Sequence, residues 1–258
     1  MGRTRGGMRG VVAAAALAVL VGGCGDGTGE ADPGPPSRGD VLFDGPAAGL
    51  LPHELGRSAF FRAVATAGDS ATTATFATRV VEDDGRTFVV EQESASGERT
   101  LLHAVDDGSE IRTVASWDEE WGQREITPPV VLVRTPVVAG EPVRGGFRRS
   151  LAVVLRGADG DLRRVVPFEG TSERTPLGFA DTALDGTTPP GAIRFALVAS
   201  GRASVPTPVG TIALELEIAG EETLAPGVGL VREEIDLVLR AGGASATARL
   251  STVRVEAP

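Results

Sequence analysis

Lysine, asparagine and tyrosine are absent from this chain of 258 residues; cysteine occurs once, histidine twice, and aromatic residues make up only 4%. Without lysine there is no Schiff-base amine and no phosphate-loop cation. Without tyrosine there is no phenolic acid, and without asparagine no N-glycan acceptor. A single cysteine, Cys24, excludes an intramolecular disulfide. Positive charge is also short: 25 basic residues, all arginine, stand against 35 acidic ones, for a net charge of −10. That balance argues against a nucleic-acid partner, which calls for a positive surface to neutralise phosphates. What is present suffices to fold. With 41% hydrophobic and 23% charged residues, the chain can build a core rather than remain disordered.

The first 23 residues read as an export signal. Arg3, Arg5 and Arg9 form a basic start, and Val11 to Val21 is an apolar run. Its length is well short of the roughly 20 residues a membrane-spanning helix needs, and suits the apolar region of a secretory leader. It ends in Val21-Gly22-Gly23-Cys24, and this ending resembles the lipobox of bacterial lipoproteins. The resemblance implies cleavage before Cys24, acylation of that cysteine, and a protein held at the membrane of the bacterial cell envelope, facing the periplasm or the cell surface. Residues 24–48, rich in Gly, Asp and Pro, read as a flexible tether, leaving 49–258 as a single domain.

That domain reads as all-β. Asp84-Gly85, Asp107-Gly108 and Asp159-Gly160 each separate two β-like stretches, a strong hairpin pattern. The expected strands are Ala74–Glu82, Arg86–Glu93, Arg99–Val105, Glu110–Trp117, Phe147–Arg156, Asp161–Phe168, Ala192–Val205, Gly210–Ala219, Gly229–Arg240 and Ala244–Glu256. In Thr211–Ala219, Ile212, Leu214, Leu216 and Ile218 fall on one face and Ala213, Glu215 and Glu217 on the other. In the next strand Val231, Ile235, Leu237 and Leu239 share a face with Glu233. Sheets with one dry and one wet face are antiparallel, so about ten strands in up-and-down order are expected, as a curved sheet or incomplete barrel. One short helix is allowed at Glu54–Val64. Thr127–Pro142 is expected to cross between parts of the sheet, and Gly170–Gly191 to form a surface loop or flap.

No catalytic constellation stands out. A nucleophile elbow, a phosphate loop, a metalloprotease helix and paired metal-binding cysteines are all missing from the sequence. His53 and His103 read as hydrogen-bonded structural residues, and the acidic runs as hairpin tips. No catalytic residue, cofactor or metal ligand is therefore assigned. Trp117 and Trp121 flank an acidic turn and form a candidate contact patch. Ile212, Leu214, Leu216 and Ile218 form a candidate face for an apolar ligand.

Ala225-Pro226-Gly227-Val228-Gly229-Leu230-Val231, preceded by Gly210-Thr211-Ile212, resembles a hairpin of uncharacterised bacterial lipoproteins, with Leu224 where those proteins usually carry an aromatic. They are in turn distantly similar to the LolA/LolB-type carriers, whose curved sheet holds acyl chains. The leading expectation is a non-enzymatic structural or protein-interaction module, anchored to the membrane through lipidated Cys24 and binding another envelope protein. The alternative is a carrier or sensor of an apolar ligand on a concave sheet face. A hydrolase comes third.

Overall fold

The computed structural model describes residues 39–119, 122–157, 160–181, 188–207 and 210–256. Fourteen strands follow in order: β1 Val41–Phe43, β2 Ser58–Ala67, β3 Ser70–Asp83, β4 Thr87–Ser94, β5 Arg99–Asp106, β6 Glu110–Asp118, β7 Gly122–Arg134, β8 Val137–Val138, β9 Val143–Gly157, β10 Gly160–Phe179, β11 Ile193–Thr207, β12 Gly210–Ala225, β13 Gly229–Ala241 and β14 Ala244–Val255. β1 and β8 make a small antiparallel ribbon, and the other twelve form one ring of sequential antiparallel neighbours. The ring closes where β14 meets β2, from Arg249↔Thr66 to Val255↔Phe60. All ten expected strands are present, and the up-and-down order is as read from the hairpins.

Alternation places the apolar side chains inside. On β11 every residue of one parity from Ile193 to Val205 is buried, while Arg194, Val198, Ser200, Arg202 and Ser204 are exposed. On β12, Leu214, Leu216 and Ile218 are buried between exposed Ala213, Glu215, Glu217 and Ala219. The outer wall carries cross-strand ion pairs, including Arg144–Glu173 at 2.6 Å, Arg240–Glu217 at 2.5 Å and Arg202–Glu215 at 3.5 Å. Such exposed pairs add little stability each, but they set polarity. A barrel that crosses a membrane is apolar outside and polar within; this one is the reverse. Among the described residues no helix is long and apolar enough to cross a membrane.

Short turns fix the register. Gly242 and Gly243, at φ +54° and +87°, supply the two left-handed residues a tight hairpin between β13 and β14 needs. At the β3–β4 turn, Asp84 accepts hydrogen bonds from the backbone N–H groups of Arg86 (2.9 Å) and Thr87 (2.6 Å) and from the Thr87 hydroxyl (2.7 Å). The bonds from Thr87 and then Arg86 hold its carboxyl down at about 2.

Four expectations are corrected. Glu54–Val64 is no helix: its C-terminal part belongs to β2, whose inward Ala59, Phe61 and Ala63 face neighbours across β3 and β14. Gly170–Gly191 is not a loop throughout, because β10 runs on to Phe179. Thr127–Pro142 contains the rest of β7 and all of β8. Residues 39–48, read as the end of the tether, pack in part: Leu42 is buried and Ala47 fully enclosed, while Val41 and Asp44 are exposed.

The seam of the ring lies between β7 and β9, which are registered at Ile126↔Arg149. The ladder from β6 to β7 jumps from Thr113↔Val130 to Ala115↔Glu125, so Thr127, Pro128 and Pro129 stand out of register. Proline has no N–H for a ladder and is tolerated at such bulges and edges. A close backbone approach occurs elsewhere, where Gly170 of β10 lies opposite both Phe147 of β9 and Gly201 of β11. The Phe147 ring covers Gly201, and a methyl group on Gly170 would run into the Ser200 carbonyl oxygen and the Gly201 backbone.

Because backbone cannot yield as a flexible side chain does, Gly170→Ala is expected to lower stability by about 3 kcal/mol, the upper end of overpacking costs. Urea unfolding of the two proteins checks this, and an unchanged midpoint would contradict the close approach.

Candidate functional site

One end of the ring is plugged by the segment from Gly39 to Arg57. The Ala47 N–H bonds to the Gly108 carbonyl at 3.0 Å and the Gly227 N–H to that of Gly49 at 2.8 Å, so the plug ties two hairpin turns together. His53 is the latch. Its ring stacks on Phe88, with centroids 4.1 Å apart and planes within 5°. Nε2 donates to Asp106 Oδ2 at 2.9 Å, since an ionised carboxylate only accepts, and Nδ1 lies 3.6 Å from Asp83 Oδ2. The other oxygen of each aspartate accepts the N–H of the turn glycine two residues on, Gly85 or Gly108, at 2.8 and 2.7 Å. The first aspartate of each Asp-Asp-Gly turn is thus an anchor for the plug rather than a solvated tip.

Above the plug the ring holds a partly open cavity of about 160 Å³. Phe61 and Phe76, stacked at 5.1 Å, line it together with Phe88, Leu102, Leu132 and Leu250. Gln92, Thr100 and Thr252 add hydrogen-bonding groups, and Arg57, Glu233 and Arg254 add charge. An apolar void of about 150 Å³ is large enough to bind benzene, so the space suits a ligand of that order rather than a two-chain lipid.

A charged cluster separates this cavity from a smaller one of about 80 Å³. Arg174 of β10 lines the smaller cavity and Glu233 of β13 the larger. Arg174 pairs with Glu222 of β12, and its guanidinium sits 4.9 Å over the Phe195 ring of β11. Phe195, Glu222 and Glu233 are consecutive partners across the sheet. Two carboxylates directly opposite repel, and the arginine offsets this. Burial pushes the Arg174 guanidinium down to about 9, and the charge of Glu233 opposes the shift. Arg174 therefore stays cationic at neutral pH.

The residues singled out by sequence are scattered. Leu214, Leu216 and Ile218 face the interior but pack into a filled core with Val166, Phe168 and Leu239, with Ile212 at its margin; none of the four lines the cavity. Trp117 is half-buried on β6, opposite Leu101, while Trp121 and Cys24 lie outside the described residues. His103 is half-buried on β5. Among the described residues no group of three or more His, Cys, Asp or Glu side chains is placed to hold a metal ion. Arg57, Arg174, Glu222 and Arg254 were not anticipated. Glu233 carried a visible sign, since an acid sharing a face with Val231, Ile235 and Leu239 must be paired or functional. The fold and cavity define a plugged, water-facing β-barrel; no family model, curated protein or solved structure matches the chain.

Replacing Arg174 with methionine leaves Glu222 and Glu233 facing one another in a dry interior. The variant is expected to lose about 3–5 kcal/mol at neutral pH. Buried carboxylates bind protons more readily than exposed ones, so the folded form then takes up protons ahead of the unfolded chain. Stability should accordingly recover as the pH is lowered from about 8 to about 5. Denaturant midpoints across that range, compared with the wild type, check both the loss and its sign.

Proposed function

We propose that this protein is a lipid-anchored binding module of the bacterial envelope that holds a small, largely apolar ligand inside its barrel, without catalysing a reaction. The observation that carries the reading is the cavity of about 160 Å³, lined mainly by aromatic and aliphatic side chains and bordered by Leu51 and Pro52 of the plug. Ligand sites are typically concave and mainly apolar, with a few placed polar groups, and Gln92, Thr100 and Arg254 are such groups here. Anchoring through Cys24 would hold the barrel beside a membrane, while its charged outer wall keeps it in water.

A second reading, docking to another envelope protein, draws support from the plugged end. Val41 of β1, Leu55 of the plug and Phe179 at the end of β10 are large apolar residues that stand exposed.

Saturating toluene is expected to raise the melting temperature by about 2–4 °C, as roughly 1 kcal/mol of ligand linkage does in a chain of this size. Ala59→Phe, which fills the cavity from β2, should abolish the shift. No shift in the wild-type protein would remove the cavity as a binding site. The anchor is checked separately. A Cys24→Ser variant should leave the membrane fraction on cell lysis and carry no acyl mass; continued membrane association would count against lipidation.

A further inference from the structure

One end of the cavity is basic. Arg57, just before β2, and Arg254, on the inner face of β14, both line it. They reach the same turn: an Arg57 Nη donates to the Gly227 carbonyl and Arg254 Nη1 donates to the Val228 carbonyl, the latter at 2.5 Å. Each guanidinium has five donors in a planar fork, so one carbonyl fixes its position and leaves further N–H groups for another acceptor. Glu54 lies 3.4 Å from Arg57 and is largely exposed, and among the described residues no carboxylate is ion-paired with Arg254. The two cations also feel one another. Burial, then the charge of Arg57, lowers Arg254 from its ordinary value, so the folded chain holds like charges together beside an apolar space. It does so although acids outnumber bases 35 to 25 in the whole chain. Among the described residues that line the cavity, the one carboxylate is Glu233, and Arg174 offsets it.

We propose that the ligand is a small apolar molecule ending in a carboxylate, with its tail among Phe61, Phe76 and Leu102 and its head between Arg57 and Arg254. A carboxylate meets the planar fork of arginine with two parallel hydrogen bonds, which an alcohol or amine cannot do. The inference rests on the cavity being a binding site, and a matched ligand series separates the two claims.

Hexanoate, hexanol and hexylammonium are titrated calorimetrically into the full-length protein, at low and at high salt. Hexanoate is expected to bind about tenfold tighter than hexanol at low salt, with the advantage shrinking as salt rises. Arg254→Gln should reduce hexanoate to the affinity of hexanol while leaving hexanol unchanged. Arg254→Lys should restore part of the preference, and Arg57→Gln should lose part of it. Circular dichroism confirms that each variant is folded, and the wild-type series stands without them. Equal binding of hexanoate and hexanol, or a preference for hexylammonium, overturns the carboxylate assignment and leaves the cavity reading in place. Binding of none of the three overturns both.

Discussion

A strand with one dry face needs something to keep that face dry, and here the answer is the pairing of the last strand with the first long one. As an open sheet, β2 to β14 would wet its inner leucines along two free edges. The bonds between β14 and β2 remove those edges, and the interior becomes an enclosed space. The plug, the buried ions and the cavity all presuppose that closure. Arg174, Glu222 and Glu233 could not be held together in a flat sheet, because their mutual compensation depends on an interior where water does not compete.

Closure around twelve strands creates its own difficulty. Side chains just fill a barrel of about eight strands, and wider rings leave space. With so few aromatic residues, and with alanine at inward positions 59 and 63 of β2, this chain cannot fill the ring evenly. It divides the interior instead. One core gathers around the plug, with Leu50, Phe88 and Ile111; another lies between β10 and β14, with Phe168, Leu214 and Ile235. The cavity is what remains where neither core reaches, so the space and the composition have a common cause.

Much of the fold was legible because hairpins are local. Alternation and Asp-Gly turns reveal strands and their order without any long-range information. The missed segments each break the pattern for a physical reason. β2 is rich in alanine, which favours helices, and Phe60-Phe61 puts bulk on both faces. The second half of β10 turns Gly170, Ser172 and Arg174 inward, so its inner face does not look hydrophobic. β7 carries two adjacent prolines. The cavity was not legible, since it depends on β13 and β14 standing beside β2 to β5, a relation set by ring closure. Glu233 was visible as an acid on an apolar face, but its partner lies more than fifty residues earlier and no periodicity links them.

The thin seam at β7 and β9 has a bearing on how copies of the protein behave toward one another. Where a ring is weakly laced, strand edges can come into view, and an edge with regular N–H and C=O groups invites a strand from a neighbouring molecule. Here the exposed stretch would be Thr127-Pro128-Pro129, which offers two consecutive positions without an amide hydrogen. A foreign strand laid along it finds gaps in the ladder where it would need bonds. The residues that loosen the ring thus also make its gap a poor template for chain-to-chain aggregation.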